Sequence, residues 1–83
     1  MNNIDSPIRV GAIFGPGRQI RPVWFDWQNR KYTVQEVTYR WQQHDGDTVM
    51  LHFAVTDGES LYELAYDTDR QSWNLAALES LEP

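Results

Sequence analysis

From Val23 to Trp41 the chain reads VWFDWQNRKYTVQEVTYRW. Large apolar and polar residues alternate, stop at Gln28-Asn29-Arg30, and alternate again. A period of two marks half-buried β-strands, and a short polar break between two such runs marks a tight turn. The same rhythm continues to the end of the chain, with breaks at Asp45-Gly46 and Asp57-Gly58, both favoured hairpin dipeptides. The pattern therefore predicts an all-β, antiparallel meander of five to six strands.

Six segments carry the alternation. Ile8 to Phe14 has Ile8, Val10 and Ala12 in one phase and ends at Gly15-Pro16-Gly17. Ile20 to Trp27 points Val23, Phe25 and Trp27 one way, with Pro22 near its start, where a missing donor is tolerated. Asn29 suits a left-handed turn conformation. Lys31 to Gln43 holds an irregularity: Tyr32 and Val34 share one phase, whereas Val37, Tyr39 and Trp41 share the opposite one. An extra residue near Gln35-Glu36 would realign them, so a β-bulge with a sharp bend is expected there. A long strand bent in this way favours a roll or half-open barrel over a flat sheet. Thr48 to Thr56, Leu61 to Asp67 and Ser72 to Leu75 complete the set. Residues 1–7 read as a loose terminus and 76–83 as a frayed tail. The tail AALESLE either continues as a strand or forms one helical turn, and Leu75, Leu78 and Leu81, three apart, favour the short C-terminal helical turn.

The expected core is Val23, Phe25, Trp27, Tyr32, Val34, Val37, Tyr39, Trp41, Leu51, Phe53, Leu64, Tyr66, Trp73 and Leu75. The chain has 83 residues, enough for a single domain of small core, and its four Trp, four Tyr and three Phe make that core efficient. There is no cysteine, which removes disulfides and thiolate metal sites. No apolar run approaches the ~20 residues of a membrane-crossing helix, and the opening MNNIDSP lacks a signal-peptide pattern. A soluble, cytoplasmic protein of bacterial type is expected.

The net charge of −5 argues against strong general binding to phosphate backbones. Its distribution is polarised. Residues 1–43 hold six basic side chains against three acids, or +3, while residues 44–83 hold Arg70 against nine acids, or −8.

Candidate chemistry is sparse. The segment GAIFGPGRQ lacks both the Gly-Lys-Ser/Thr ending of a Walker loop and the helix that follows a dinucleotide loop, so it reads as a plain loop. His44-Asp45-x-Asp47 surrounds a hairpin turn, where solvated Asp collects, and is not expected to bind metal. Asp67-x-Asp69 resembles the start of a calcium loop without its Gly or its bidentate Glu, and again a turn is the simpler reading. His52 stands on the polar phase of its strand with no nucleophile in a recognisable context. Neither a catalytic group nor a cofactor is expected.

Trp24 is the exception. It falls out of phase with Val23, Phe25 and Trp27, so it faces outward if they face in. Arg21, Arg30, Lys31 and Arg40 are close in sequence or across the expected hairpin. An exposed aromatic among cations anchors protein interfaces, and it also stacks bases while the cations hold phosphates. The bland alternative is that Trp24 is core beneath a second covering layer.

At these residues the chain resembles a small bacterial β-domain family without an assigned activity, found alone and as a C-terminal tail on proteins related to Y-family translesion polymerases. The family pattern is Pro-x-x-Phe-x-Trp-x-Gly-Arg-x-Tyr-x-Val, then Trp, Tyr-x-Leu and Trp-x-Leu. It falls here on Pro22, Phe25, Trp27, Arg30, Tyr32, Val34, Trp41, Tyr62, Leu64, Trp73 and Leu75, with Asn29 in place of the turn Gly. The resemblance spans residues 20–78 and consists of packing positions plus one Arg. It implies a fold and an accessory role near DNA-repair proteins, not an activity. The leading expectation is a non-catalytic module that binds a protein partner or a second copy through the strand carrying Trp24. Weak binding of single-stranded nucleic acid through Trp24, Arg21, Arg30, Lys31 and Arg40 is the alternative.

Overall fold

The computed structural model describes residues 2–17 and 19–80. It is all-β: β1 (Asn2–Phe14), β2 (Ile20–Trp27), β3 (Arg30–Thr33), β4 (Glu36–Asp45), β5 (Thr48–Thr56), β6 (Ser60–Asp67) and β7 (Ser72–Ser80). All pairings are antiparallel, in one sheet of order β3-β2-β1-β7-β6-β5-β4. The order is a meander whose first and last strands pair, leaving β3 and β4 as its two edges. Those edges are consecutive in the chain and joined by only Val34 and Gln35. Val34 N–H donates to Val23 on β2, and Gln35 N–H donates to Thr56 on β5. A sheet whose opposite edges are tied by two residues must curl, and its seven strands wrap one core.

Three sequence expectations are corrected. Among the described residues the strand count is seven, not five to six, because the expected third strand is split at Val34-Gln35. No C-terminal helical turn forms through residue 80. Ala77 and Leu78 continue β7 opposite Asn3 and Asn2 of β1, so β pairing satisfies the backbone groups a helix would have used. Leu81, the last residue of the expected helical spacing, lies outside the described residues. Neither Asn2–Pro7 nor Ala76–Ser80 is loose, since Asn2–Ile8 and Trp73–Leu78 form one ladder and both segments are strand.

Curling is distributed over register shifts, where an extra residue bends a strand and increases its twist. They place Val23 between the Gly11 and Ala12 partners of β2, Thr38 between the Val37 and Tyr39 pairings, and Ala76 between the Leu64 and Glu63 partners of β7. Another lies at Ile4-Asp5, where Asp5 adopts φ 55° and accepts a hydrogen bond from Asn74 Nδ2 at 2.8 Å. The turns follow the sequence. Gln28 and Asn29, at φ 51° and 62°, make the two-residue connection of β2 to β3, whose mirror-image twist suits a hairpin. Gly46, at φ 63°, turns β4 into β5.

The core holds Phe25, Phe53, Val55, Tyr62, Leu64, Trp73 and Leu75, ringed by partly buried residues that include Ile8, Val10, Trp27, Tyr32, Val37 and Tyr66. Phe25 stacks on Tyr32 at 5.0 Å and meets the edge of Tyr62 at 5.0 Å. Val23, Tyr39 and Trp41 are not in this cluster. The bulge at Thr38 explains the last two. Val37 pairs with buried Val55, but after the extra residue Tyr39 pairs with Ala54 and Trp41 with His52, on the outer face. The same shift brings Arg40 opposite core residue Phe53.

Candidate functional site

The outer face of β1, β2 and β3 is built in two rows. In one, Gly11, Trp24 and Thr33 lie side by side, and in the next Arg9, Asp26 and Lys31 do. Phe25, between them on β2, points inward and is fully buried. Alternation therefore fixes Trp24 outside. Its indole lies over Gly11, where a Cβ would collide with it. Lys31 Nζ sits 4.8 Å from the centre of the Trp24 ring and the Arg9 guanidinium 5.7 Å. Such cation–π contacts are worth about 0.5–1 kcal/mol at exposed sites. Arg9 Nε also donates to Asp26 Oδ2 at 2.9 Å, and its Nη2 pairs with the same oxygen.

Of the residues the sequence singled out, Trp24 and Lys31 are in contact. Arg21 pairs with Ile13, near the far end of the same hairpin from the turn. Arg30 lies over Tyr32 at 5.3 Å, on the inner side. Arg40 belongs to the opposite edge strand and lies over Phe53 at 6.0 Å. The five residues thus do not form one cluster. The turn end of β2 and β3 does gather a different set: Arg9, Arg30 and Lys31 line a depression of about 930 Å³ with Asp26 and Trp27. Arg9 and Gly11 are the residues the sequence reading missed. Gly11 carried a signal, because a glycine inside an alternating strand often marks the close approach of another group.

A second constellation lies on the outer face of β4, β5 and β6. His52 is only 8 % exposed. The Trp41 indole stacks on it at 5.1 Å with an interplanar angle of 13°, and its Nδ1 lies 3.3 Å from Glu63 Oε2. A carboxylate beside one ring nitrogen favours a proton on that nitrogen. Tyr39, 66 % exposed, leans on Trp41 at 5.5 Å. What the polar phase of β5 hides in sequence is that a tryptophan from the bulged edge strand covers its histidine.

The turn aspartates are occupied with backbone. Asp67 Oδ1 accepts from the N–H groups of Asp69 and Arg70 at 2.9 Å each. Asp57 Oδ1 accepts from Glu59 and Ser60, and its Oδ2 from the Tyr62 hydroxyl, all at 2.9 Å. Burial pushes the Asp57 carboxyl up, but these hydrogen bonds together outweigh it and hold it below the ordinary carboxylate value. Burial, then the bond to Asp57, push the Tyr62 hydroxyl up to about 12. Among the described residues no group of three metal-ligating side chains converges, and no helix is long and apolar enough to cross a membrane.

Comparisons with protein-family models, curated proteins and solved structures give no match.

Proposed function

We propose that the chain is a non-catalytic interaction module, working in the cytoplasm, that engages a protein partner or a second copy through the outer face of β1, β2 and β3. One observation carries the reading: Trp24 lies outside the core, half-buried over Gly11, with Arg9 and Lys31 both against its ring. Trp and Arg are among the side chains enriched in interface hot spots. A partner surface laid on this row would find an aromatic ring with two cations against it. The resemblance to domains attached to translesion-polymerase relatives makes DNA-repair proteins the first place to look for that partner.

A benzophenone side chain at position 33, beside Trp24 in the same row, tests the reading. The expected result is a cross-link to a protein that also binds the purified chain, with binding lost in Trp24→Ser and weakened in Lys31→Glu. Binding by the purified protein that survives Trp24→Ser would overturn it.

Weak binding of single-stranded nucleic acid is the second reading, supported by Arg9 and Lys31 against the Trp24 ring and by the depression that these two share with Arg30. Asp26 in their midst and the remoteness of Arg40 weaken it. At low salt an oligonucleotide would shift the Trp24 indole N–H, and the shift would vanish as salt rises.

A further inference from the structure

Away from the Trp24 face, two strand edges have no partner among the described residues. Among the described residues β4 pairs with β5 alone. β3 covers only Trp24–Trp27 of β2, so the stretch Ile20–Pro22 has no strand on that side among the described residues. A cleft of about 410 Å³ opens between them. Gln19 and Ile20 form one wall and Arg40 and Gln42 the other, over Leu51 and Phe53.

An edge strand presents alternate N–H and C=O groups with no partner, which is a template for another chain. Proteins blunt such edges with lysine, proline or bulges. β4 has its bulge near its start, at Thr38, but from Tyr39 to Asp45 it has no lysine, no proline and no further register shift. Arg40 decides what fits there. Its guanidinium lies over Phe53 and makes no ion pair among the described residues. A second copy pairing antiparallel through the middle of β4 would bring two Arg40 side chains together, and like charges at close range oppose it. An acidic segment meets the same cation favourably.

We propose that this cleft takes an extended acidic segment of a partner protein as an added β-strand on β4. An apolar residue of that segment would rest on Leu51 and Phe53, and an Asp or Glu would meet Arg40. Backbone pairing supplies affinity in this mode of recognition, and the side-chain sites supply choice. The proposal does not depend on the Trp24 face, and its outcome is read on different residues.

The test is selection of random displayed heptapeptides on the full chain, followed by amide hydrogen exchange with the enriched peptides. The expected peptides alternate apolar and polar residues, contain an acid, and protect the amides of Tyr39–Asp45. Arg40→Glu should weaken them at least about tenfold, with Arg40→Gln intermediate and both variants melting like the parent. If either variant melts lower, the parent titrated with each peptide and its Lys-for-acid counterpart gives the same comparison. Failure to enrich peptides overturns the proposal. So do peptides without acids, binders that shift Gly11, Trp24 and Lys31 instead, or concentration-dependent protection of β4 with no peptide present.

Discussion

Gly11 on β1 and Trp24 on β2 are directly opposed, and the indole of Trp24 fills the space that a side chain at Gly11 would need. The first methyl group placed there would overlap the ring at Nε1 and Cε2. The contact positions Trp24 against its two cations, so it joins a backbone feature to the proposed interface.

Gly11→Ala should therefore swing the indole off the sheet and cost about 1–3 kcal/mol, as overpacking does. Tryptophan emission and the Trp24 indole N–H signal should both move. A variant with parental emission and melting would show that the ring does not rest on Gly11.

Phe25 and Trp27 lie two residues apart on β2 but differ in burial. Phe25 is fully enclosed, whereas Trp27 is at the margin of the cluster. Phe25→Ala should cost about 3–5 kcal/mol, comparable with the whole stability of a small domain. Trp27→Ala should cost less, and urea titration of both variants orders them. The reverse order would move the centre of the core toward the hairpin turn.

Asp57 and Tyr62 set opposite pH limits. Asp57 is held below its ordinary 3.8, so its contribution is present above that pH and is lost as pH falls through the lower folded-state value. Tyr62 is raised from 10.0 to about 12, so its contribution is present below pH 10 and is lost as pH rises toward 12. Urea midpoints measured across pH should show a weaker alkaline decline in Tyr62→Phe than in the parent. Asp57→Ala, which orphans two backbone donors and a hydroxyl, should lower stability by about 1–3 kcal/mol at neutral pH.

Gln28 occupies a left-handed conformation, φ 51°, that asparagine tolerates better. Gln28→Asn should raise stability by up to about 1 kcal/mol. That corresponds to roughly 4–8 °C in the melting midpoint of a domain this size. A lower midpoint would mean that the Gln28 side chain contributes something the turn geometry does not reveal.

Local pattern alone determined that the chain is all-β and where its turns lie, because alternation and the pairs Gln28-Asn29, Asp45-Gly46 and Asp57-Gly58 act over a few residues. It also fixed Trp24 as opposite in phase to Phe25, since successive side chains of a strand point to opposite faces. The interruption near Gln35 was readable for the same reason.

Long-range pairing decided the rest. Pairing of β1 with β7 makes strands of Asn2–Phe14 and Ser72–Ser80, and no local signal announces a partner some seventy residues away. The bulge expected near Gln35-Glu36 is instead a break between β3 and β4, because the chain changes neighbours there, from β2 before it to β5 after it. The added bulge at Thr38 then sent Tyr39 and Trp41 outside, because one extra residue reverses the facing of everything beyond it. Arg9 reaches Trp24, and Arg40 leaves it, through strand order alone. Sequence determines the period of each strand, but only the folded sheet decides which strands share a face.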